Sequence, residues 1–428
     1  MNILIAGAGK VGYNVAKALS GNHNVIIIDK NEKALNTIKE SLDVMTIIGD
    51  MREAHTFLNI EEKIDFYIAV TNNDEINLIS TIVVKDILDI ENIIVRLSNT
   101  AYMATNFQKT LDINRVVFPY KLSASAVAKL LEFPKANNIK EFPFSDYILI
   151  SITVKNPKIN IVNEIEEDDV KVIGAEREEE FIFLNENDEI QENDLLYIFG
   201  NREKIKKCLN LLDTVSPEEI KNILIYGANE LGIEIAKILT NFDMNIKILE
   251  KEEDLAMRAA EILGENVSII NSSYEDEEML VNEGVQYSDI AVTASLKDES
   301  NIIKSLQARK LGIKKIITIN NNLNYYSLMH SLKLSTIRGP KIAAFYEILE
   351  EIDSRLLVYE RFFLGAKGKI FIKQIFNKKT ITSPKEKAKI LIIREDKIYI
   401  LKDSFDIKEG DIVMEFNFSG NKKWIETL

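Results

Sequence analysis

The sequence is poor in residues that staple, break or loosen a chain. Of 428 residues, one is cysteine, one tryptophan, three are histidine, seven proline and 17 glycine. The lone Cys208 cannot form an internal disulfide or a CxxC redox or metal pair, which fits a reducing compartment. His23, His55 and His330 share no metal-ligand spacing, so a zinc site built from histidine and cysteine is excluded by count. Few prolines and glycines argue against long flexible linkers and low-complexity tracts. No uncharged apolar run approaches the ~20 residues of a membrane-spanning helix; residues 147–154 are typical of the longest. The chain begins directly in an apolar strand, without the charged, apolar and small-residue segments of a secretory signal. Acidic residues outnumber basic ones, 67 to 53, for a net charge of −14. A protein whose main partner is nucleic acid usually runs basic, so no such partner is expected.

What is present is a duplication. Gly7-Ala8-Gly9-Lys10-Val11-Gly12 follows an apolar run at 2–6, and Gly227-Ala228-Asn229-Glu230-Leu231-Gly232 follows one at 222–226. Asp29 ends the next apolar run of the first copy and Glu250 ends its counterpart. Ala69-Val70-Thr71 matches Ala291-Val292-Thr293, Phe118-Pro119 matches Gly339-Pro340, and 190–195 matches 407–412. Length alone suggests about three domains; the repeat instead divides the chain into two copies of one two-part unit.

In the first copy, short continuously apolar strands are expected at 2–6, 25–29, 44–48, 66–70, 93–96 and 115–118, alternating with helical stretches. That pattern indicates a parallel sheet covered on both faces. Six strands make a complete doubly wound sheet. The second part is turn-rich, with strands expected at 147–154, 181–184 and 195–199 and a helix at 203–212. The fold class is therefore α/β: two doubly wound Rossmann-type parallel sheets, each followed by a small α+β module. The expected domains are 1–139, 140–213, 214–354 and 355–428, with long helices at 123–132 and 343–355 bridging the parts. The small modules differ sharply in charge, −9 over 140–213 and +6 over 355–428. Either this is drift on solvated faces, or the basic module meets an acidic module or an anionic membrane surface.

The first copy carries a dinucleotide fingerprint in context. Gly7 allows the tight strand-to-helix turn, Gly9 lets a pyrophosphate approach the backbone, and Gly12 lets the helix pack on the strand. The helix N-terminus supplies free N–H groups. Asp29, 22 residues after Gly7, stands where a carboxylate accepts from ribose hydroxyls, which favours NAD(H) or adenosine ligands over NADP. The alternative is a turn whose glycines serve packing alone. Asp50 either accepts from an adenine amino group or caps a helix. Thr71, Asn72 and Asn73 either touch ligand or cap the helix beginning near Glu75. Arg96 either binds phosphate or makes a surface ion pair, and Lys10 either reaches phosphate or is solvated. Ala8 and Val11 complete the turn.

The second copy has eroded. Asn229 replaces the middle glycine, Asn271-Ser272 replaces Gly49-Asp50, and Ile319 or Asn320 replaces Arg96. The stretch 293–299 reads as two residues longer than 71–75. Gly227, Ala228, Asn229, Glu230, Leu231 and Glu250 form a second candidate site in which Glu250 alone keeps its chemistry. The alternative is a pseudo-domain kept for its fold.

These residues carry a family resemblance. Gly7 to Gly12, Asp29, Gly49-Asp50, the stretch from Ala69 to Asn77, and Arg96 resemble the RCK (KTN) nucleotide-binding domain that regulates potassium channels and transporters. The turns at 189–194 and 406–411 look like those of the companion RCK C-terminal module. Two such pairs resemble the cytosolic regulatory subunits of Trk-type potassium uptake systems. The resemblance implies binding of NAD(H) and of ATP or ADP, with Gly7 to Val11, Asp29, Thr71 to Asn73 and Arg96 holding the nucleotide. It implies a homo-oligomeric ring, dimer or tetramer, lying in the cytoplasm against a membrane potassium-translocating subunit and changing its gating. It implies no enzyme activity. The rival reading is an NAD-dependent oxidoreductase, which needs a proton-transfer group; no histidine has an evident orienting partner in the sequence.

Overall fold

The computed structural model describes residues 1–142, 145–178, 180–353, 358–363, 367–384, 387–418, 420 and 423–428. The expected boundary at 354/355, and the end of the helix expected at 343–355, fall outside them. The chain forms two compact units, one of residues 1–123 and 338–352, the other of residues 124–337 and 353–428.

The first unit is built on β1 Asn2–Ala6, β2 Asn24–Asp29, β3 Met45–Ile48, β4 Phe66–Ala69, β5 Ile93–Arg96 and β6 Arg115–Val117. They pair in parallel in the order β3-β2-β1-β4-β5-β6. This is the doubly wound order, with its crossover reversal beside β1. The central strands β1, β4 and β5 are buried along nearly their whole length, as continuous apolar runs require. Helix Lys10–Leu19 buries Val11, Val15, Ala16 and Leu19. Its close seat depends on Gly12, where a Cβ would lie 1.8 Å from the Gly7 carbonyl oxygen. Helix Pro340–Asp353 contributes 340–352 to this unit, although it belongs to the second sequence copy. Ser123 donates to the Arg338 carbonyl at 2.8 Å, and Arg115 pairs with Glu347. The corresponding segment 124–132 of the first copy lies in the second unit. A repeat in sequence does not say which sheet a terminal helix covers, so this exchange was invisible before the structure.

In the second unit β7 Asn138–Phe142, β8 Ser145–Thr153, β9 Val170–Arg177, β10 Glu180–Phe183 and β11 Leu195–Asn201 form an antiparallel sheet, order β10-β9-β11-β8-β7. Strand β9 was not expected from the sequence, because Gly174 interrupts it. That glycine is needed where β10 crosses, since a Cβ there would meet the Ile182 carbonyl at 2.2 Å. The second Rossmann sheet consists of β12 Asn222–Tyr226, β13 Asn245–Glu250, β14 Ser268–Asn271, β15 Ile290–Thr293, β16 Lys315–Asn320 and β17 Ser335–Arg338, ordered β14-β13-β12-β15-β16-β17. The last module holds β18 Tyr359–Phe363, β19 Gly368–Gln374, β20 Lys379–Thr382, β21 Ala388–Arg394, β22 Lys397–Ile400, β23 Ser404–Ile407 and β24 Ile412–Asn417. Its main sheet runs β18-β19-β24-β21-β22, the same arrangement as the first module.

The strand registers correct two sequence equivalences and settle a third that the sequence left open. Ala6 pairs with Ala69 and Tyr226 with Thr293, so Thr71 corresponds to Ser295 and not to Thr293. The loops 71–75 and 295–299 then have equal length. Asp29 pairs with Ile48 and Glu250 with Asn271, so Ser272-Ser273 replaces Gly49-Asp50. Asn77 donates to the Arg96 carbonyl and Asn301 to that of Ile319, so Ile319 stands in the place of Arg96. The errors share one cause: the second copy is longer ahead of β14 and β15, in surface segments where length is free to vary.

The shared turn signature of the modules has a physical role. Arg177 grips Asp194 through Nε and Nη2, both at 2.8 Å, and donates to the Glu189 carbonyl. Arg394 grips Asp411 at 2.8 and 2.7 Å and donates to the Asp406 carbonyl. Each aspartate is buried and also accepts from the backbone at the head of its turn, Gln191 N or Lys408 N.

Three lysines of the basic module meet the acidic one within the unit. Lys397 pairs with Asp168 at 2.9 Å, Lys402 reaches Glu186 at 3.5 Å, and buried Lys389 donates to the Val172 and Leu184 carbonyls. Exposed pairs of this kind contribute little, because water and salt screen them. Phe142, Tyr147, Phe199, Phe363, Leu391 and Phe416 belong to one apolar core spanning both modules. Such side chains contribute ~1.5–3 kcal/mol each on burial. Apolar packing therefore holds the modules together.

At the head of β16, Lys315 is buried and donates to the Ala136 carbonyl at 2.5 Å. Burial, helped by repulsion from Lys155, brings its ammonium down to about 7, against a weaker pull from Asp213. The unfolded chain then holds more protons at this site between about pH 7 and the ordinary lysine value near ~10.5. Lys315→Met is expected to stabilise the protein most at and below pH 7. The advantage should shrink as pH rises toward ~10, read as the difference in urea midpoint between variant and wild type.

Candidate functional site

The first sheet positions a crevice at the carboxyl ends of β1, β2, β4 and β5. Gly7 leaves β1 with φ +116°, a conformation L side chains rarely adopt, and donates to the Ile28 carbonyl at 2.8 Å. Ala8 N then donates to Asp29 Oδ2 at 2.7 Å, while Asn31 N donates to Oδ1 at 2.8 Å. Asp29 thus ties the glycine turn to the end of its own strand. Ala8, Val11 and Gly12 are buried beneath the turn; Gly9 and Lys10 are exposed upon it.

Gly9 caps helix Lys10–Leu19 in extended conformation, with no side chain on the helix's first N–H groups. Those donors have no partner within the helix. A Cβ built on Gly9 meets nothing within 4 Å. The turn therefore presents unsatisfied donors and a partial positive charge to open space, the cradle an anion fits.

Arg96 closes the other side. It is buried at 6% exposure, and its Nη1 donates to the Thr71 carbonyl at 2.7 Å. Its Nε has no hydrogen-bond partner among the described residues, and burial holds its pKa below the ordinary arginine value. No carboxylate of the described residues lies within ion-pair distance, so the expected alternative of a surface ion pair does not hold. Tyr120 and Asp74 act on it only beyond ion-pair distance, and a buried guanidinium without an ion pair is costly unless an anion satisfies it.

Other candidates fall differently. Asn73 accepts from Ile76 N and caps helix Asp74–Ile87, Asn72 is exposed, and Thr71 is bound to Asn77. Asp50 lies at the end of β3, but its carboxylate is held by Arg52 at 2.9 and 2.6 Å, which brings it down to about 2. Its side chain also accepts from Arg52 N, so it organises a local turn. Two histidines do have carboxylate neighbours that the sequence did not reveal: His55 lies 3.4 Å from Glu53 and His330 3.6 Å from Glu176.

The second crevice repeats the frame with different contents. Gly227 has φ +115°, and Ala228 N donates to Glu250 Oε2 at 2.9 Å. Asn229 occupies Gly9's place and caps its helix with its own side chain. Leu231 is buried, and Glu230 turns outward to Arg258 at 3.0 Å.

The crevice-bearing halves match the TrkA-N domain family model, at residues 3–119 and 223–340. The Trk system potassium uptake protein TrkA homolog 1 of Methanosarcina mazei is 27% identical, the alignment covering 100% of this chain and 99% of that protein. A Trk system potassium uptake protein TrkA homolog of Archaeoglobus fulgidus is 28% identical over 81% of this chain and 80% of that one. Among solved structures, the GsuK RCK domain superposes with a TM-score of 0.64 at 16% identity, covering 100% and 94% of the two chains. The GsuK channel bound to NAD gives 0.63 at 16% identity, covering 100% and 78%. At this identity the likeness establishes the fold.

One positioning residue was not among the candidate site residues. Asn77, fully buried, accepts from Thr71 N and Oγ1 and donates to the Thr71 and Arg96 carbonyls. It locks the two loops that place Arg96, and Asn301 does the same in the second copy. Only its recurrence in the repeat, three residues after an aspartate, signals it in the sequence. Asn77→Leu leaves several buried groups unpaired and is expected to cost ~2–4 kcal/mol. Urea unfolding of the variant checks this.

Proposed function

Because the chain belongs to the TrkA-N domain family over both of its Rossmann halves, we propose that it is a nucleotide-binding regulatory subunit of a Trk-type potassium uptake system. The observation that carries the reading is Arg96, a buried guanidinium with an unpartnered Nε and no ion pair among the described residues, on the same crevice as the open Gly9 turn. In support, relatives covering nearly the whole chain are named for Trk potassium uptake. The similarly folded GsuK has been solved bound to NAD and bound to ADP.

The ligand is NAD(H), with ATP or ADP as competitors for the same place. The N–H groups from Lys10 to Gly12 and the Arg96 guanidinium hold phosphate oxygens. Asp29 accepts from ribose hydroxyls once the ligand draws it from Ala8 N, and repels a 2′-phosphate. Lys10, exposed on the turn, adds positive charge at its mouth. Thr71 and Asn73 shape the facing loop. No reaction is assigned to the site: the chain senses, and a membrane potassium-translocating subunit conducts. The active form is a homo-oligomeric ring on the cytoplasmic face of the membrane. Ligands change gating only in so far as they bind two ring arrangements with different affinity. NADH or ATP on one side and NAD or ADP on the other then favour different arrangements.

Calorimetric titration of the full chain with NADH tests the first step. Arg96→Met is expected to weaken binding by ~10–100-fold, the value of a charge-assisted hydrogen bond. NADPH is expected to bind more weakly than NADH, by a margin that narrows in Asp29→Asn. Unchanged NADH affinity in Arg96→Met would sink the assignment of that residue. Copurification with a potassium-translocating membrane subunit, against hydride transfer from NADH to a substrate, separates the regulator from a dehydrogenase.

A further inference from the structure

The two glycine turns have the same backbone but opposite contents. Gly9 sits at φ −73° and ψ −175°, and Asn229 at φ −73° and ψ −179°. At Gly9 the first-turn donors of the helix face open space. At Asn229 the side-chain Oδ1 accepts from Leu231 N at 2.9 Å and from Gly232 N at 3.3 Å. Its Nδ2 donates to the Ala294 carbonyl at 2.8 Å, on the loop leaving β15. One carboxamide therefore takes the helix donors and bridges them to the facing loop. Arg96 has no counterpart at its own position, since buried Ile319 stands there. Glu250, by contrast, keeps its seat on Ala228 N.

We infer that Asn229 is a built-in stand-in for a nucleotide phosphate: it closes the second crevice to dinucleotides, so that each chain binds one and only the first crevice responds to ligand. This rests on the nucleotide reading of the first crevice and adds to it a stoichiometry and the residue that sets it. The side chain satisfies the donors an incoming phosphate would need, so a ligand must first break three hydrogen bonds and then finds no guanidinium. The second half is thereby held, without ligand, in the tied state that the first half reaches only when nucleotide bridges its turn and loop.

Because the two backbones coincide and a Cβ at Gly9 meets nothing, the plug can be moved. Equilibrium dialysis of the full chain against NADH counts sites in wild type, Asn229→Gly and Gly9→Asn. One site is expected in wild type, a second and weaker one in Asn229→Gly, and loss of affinity by ~100-fold or more in Gly9→Asn. Hydrogen exchange without ligand provides a second readout: the amides of Leu231 and Gly232 should be protected, and those of Val11 and Gly12 should become so in Gly9→Asn. Two sites in wild type, no second site in Asn229→Gly, or full NADH affinity in Gly9→Asn overturns this inference alone. No binding by the wild-type chain overturns the nucleotide reading and this inference with it.

Discussion

The structure turns on how closely a helix can approach the end of a strand. A Cβ at Gly12 would lie 1.8 Å from the Gly7 carbonyl, and one at Gly232 would lie 1.9 Å from that of Gly227. That approach aims the helix N-terminus into the crevice, and a carboxylate from the next strand fixes it. Asp29 holds Ala8 N and Glu250 holds Ala228 N. Both halves keep this frame. What differs is who satisfies the helix donors: open space in one half, the protein's own carboxamide in the other. The two turns thus share a backbone and differ in whether a side chain caps the helix donors.

A second constraint acts across the crevice. The loop leaving β4 and the end of β5 are bound together by the buried Asn77, and the guanidinium of Arg96 is tied to the same loop. Movement of that loop therefore moves the cation. In the small modules the recurring device is an arginine gripping a turn aspartate, which gives the charged turns at 189–194 and 406–411 a structural purpose. The opposite charges of the modules meet in a few exposed pairs around a large shared apolar core, and the core supplies most of the energy.

Much of this was legible beforehand. The duplication, the doubly wound sheets, the glycine turn and Asp29 follow from local patterns with physical periods. Other features were left between two readings. Asp50, read as a ligand acceptor or a helix cap, is held by Arg52, two residues away. Asn73 proved to be a helix cap, while Arg96, equally plausible as a surface ion pair, is buried with no ion pair among the described residues. The offset between the copies slipped by two residues at Thr71 because the connections ahead of β14 and β15 differ in length between the copies.

The sequence alone determined what the short range controls: the repeat, which strands are buried, where a glycine must be, and which residue types line the crevice. Pairing between distant segments belonged to the tertiary structure. It decided that 340–352 of the second copy packs in the unit of the first sheet, that the acidic module receives the basic one, and that Asn229 folds back upon its own helix. The reason is that periodicity reports which face of an element is apolar, whereas the identity of the group facing it is set by a fold that brings together residues hundreds of positions apart.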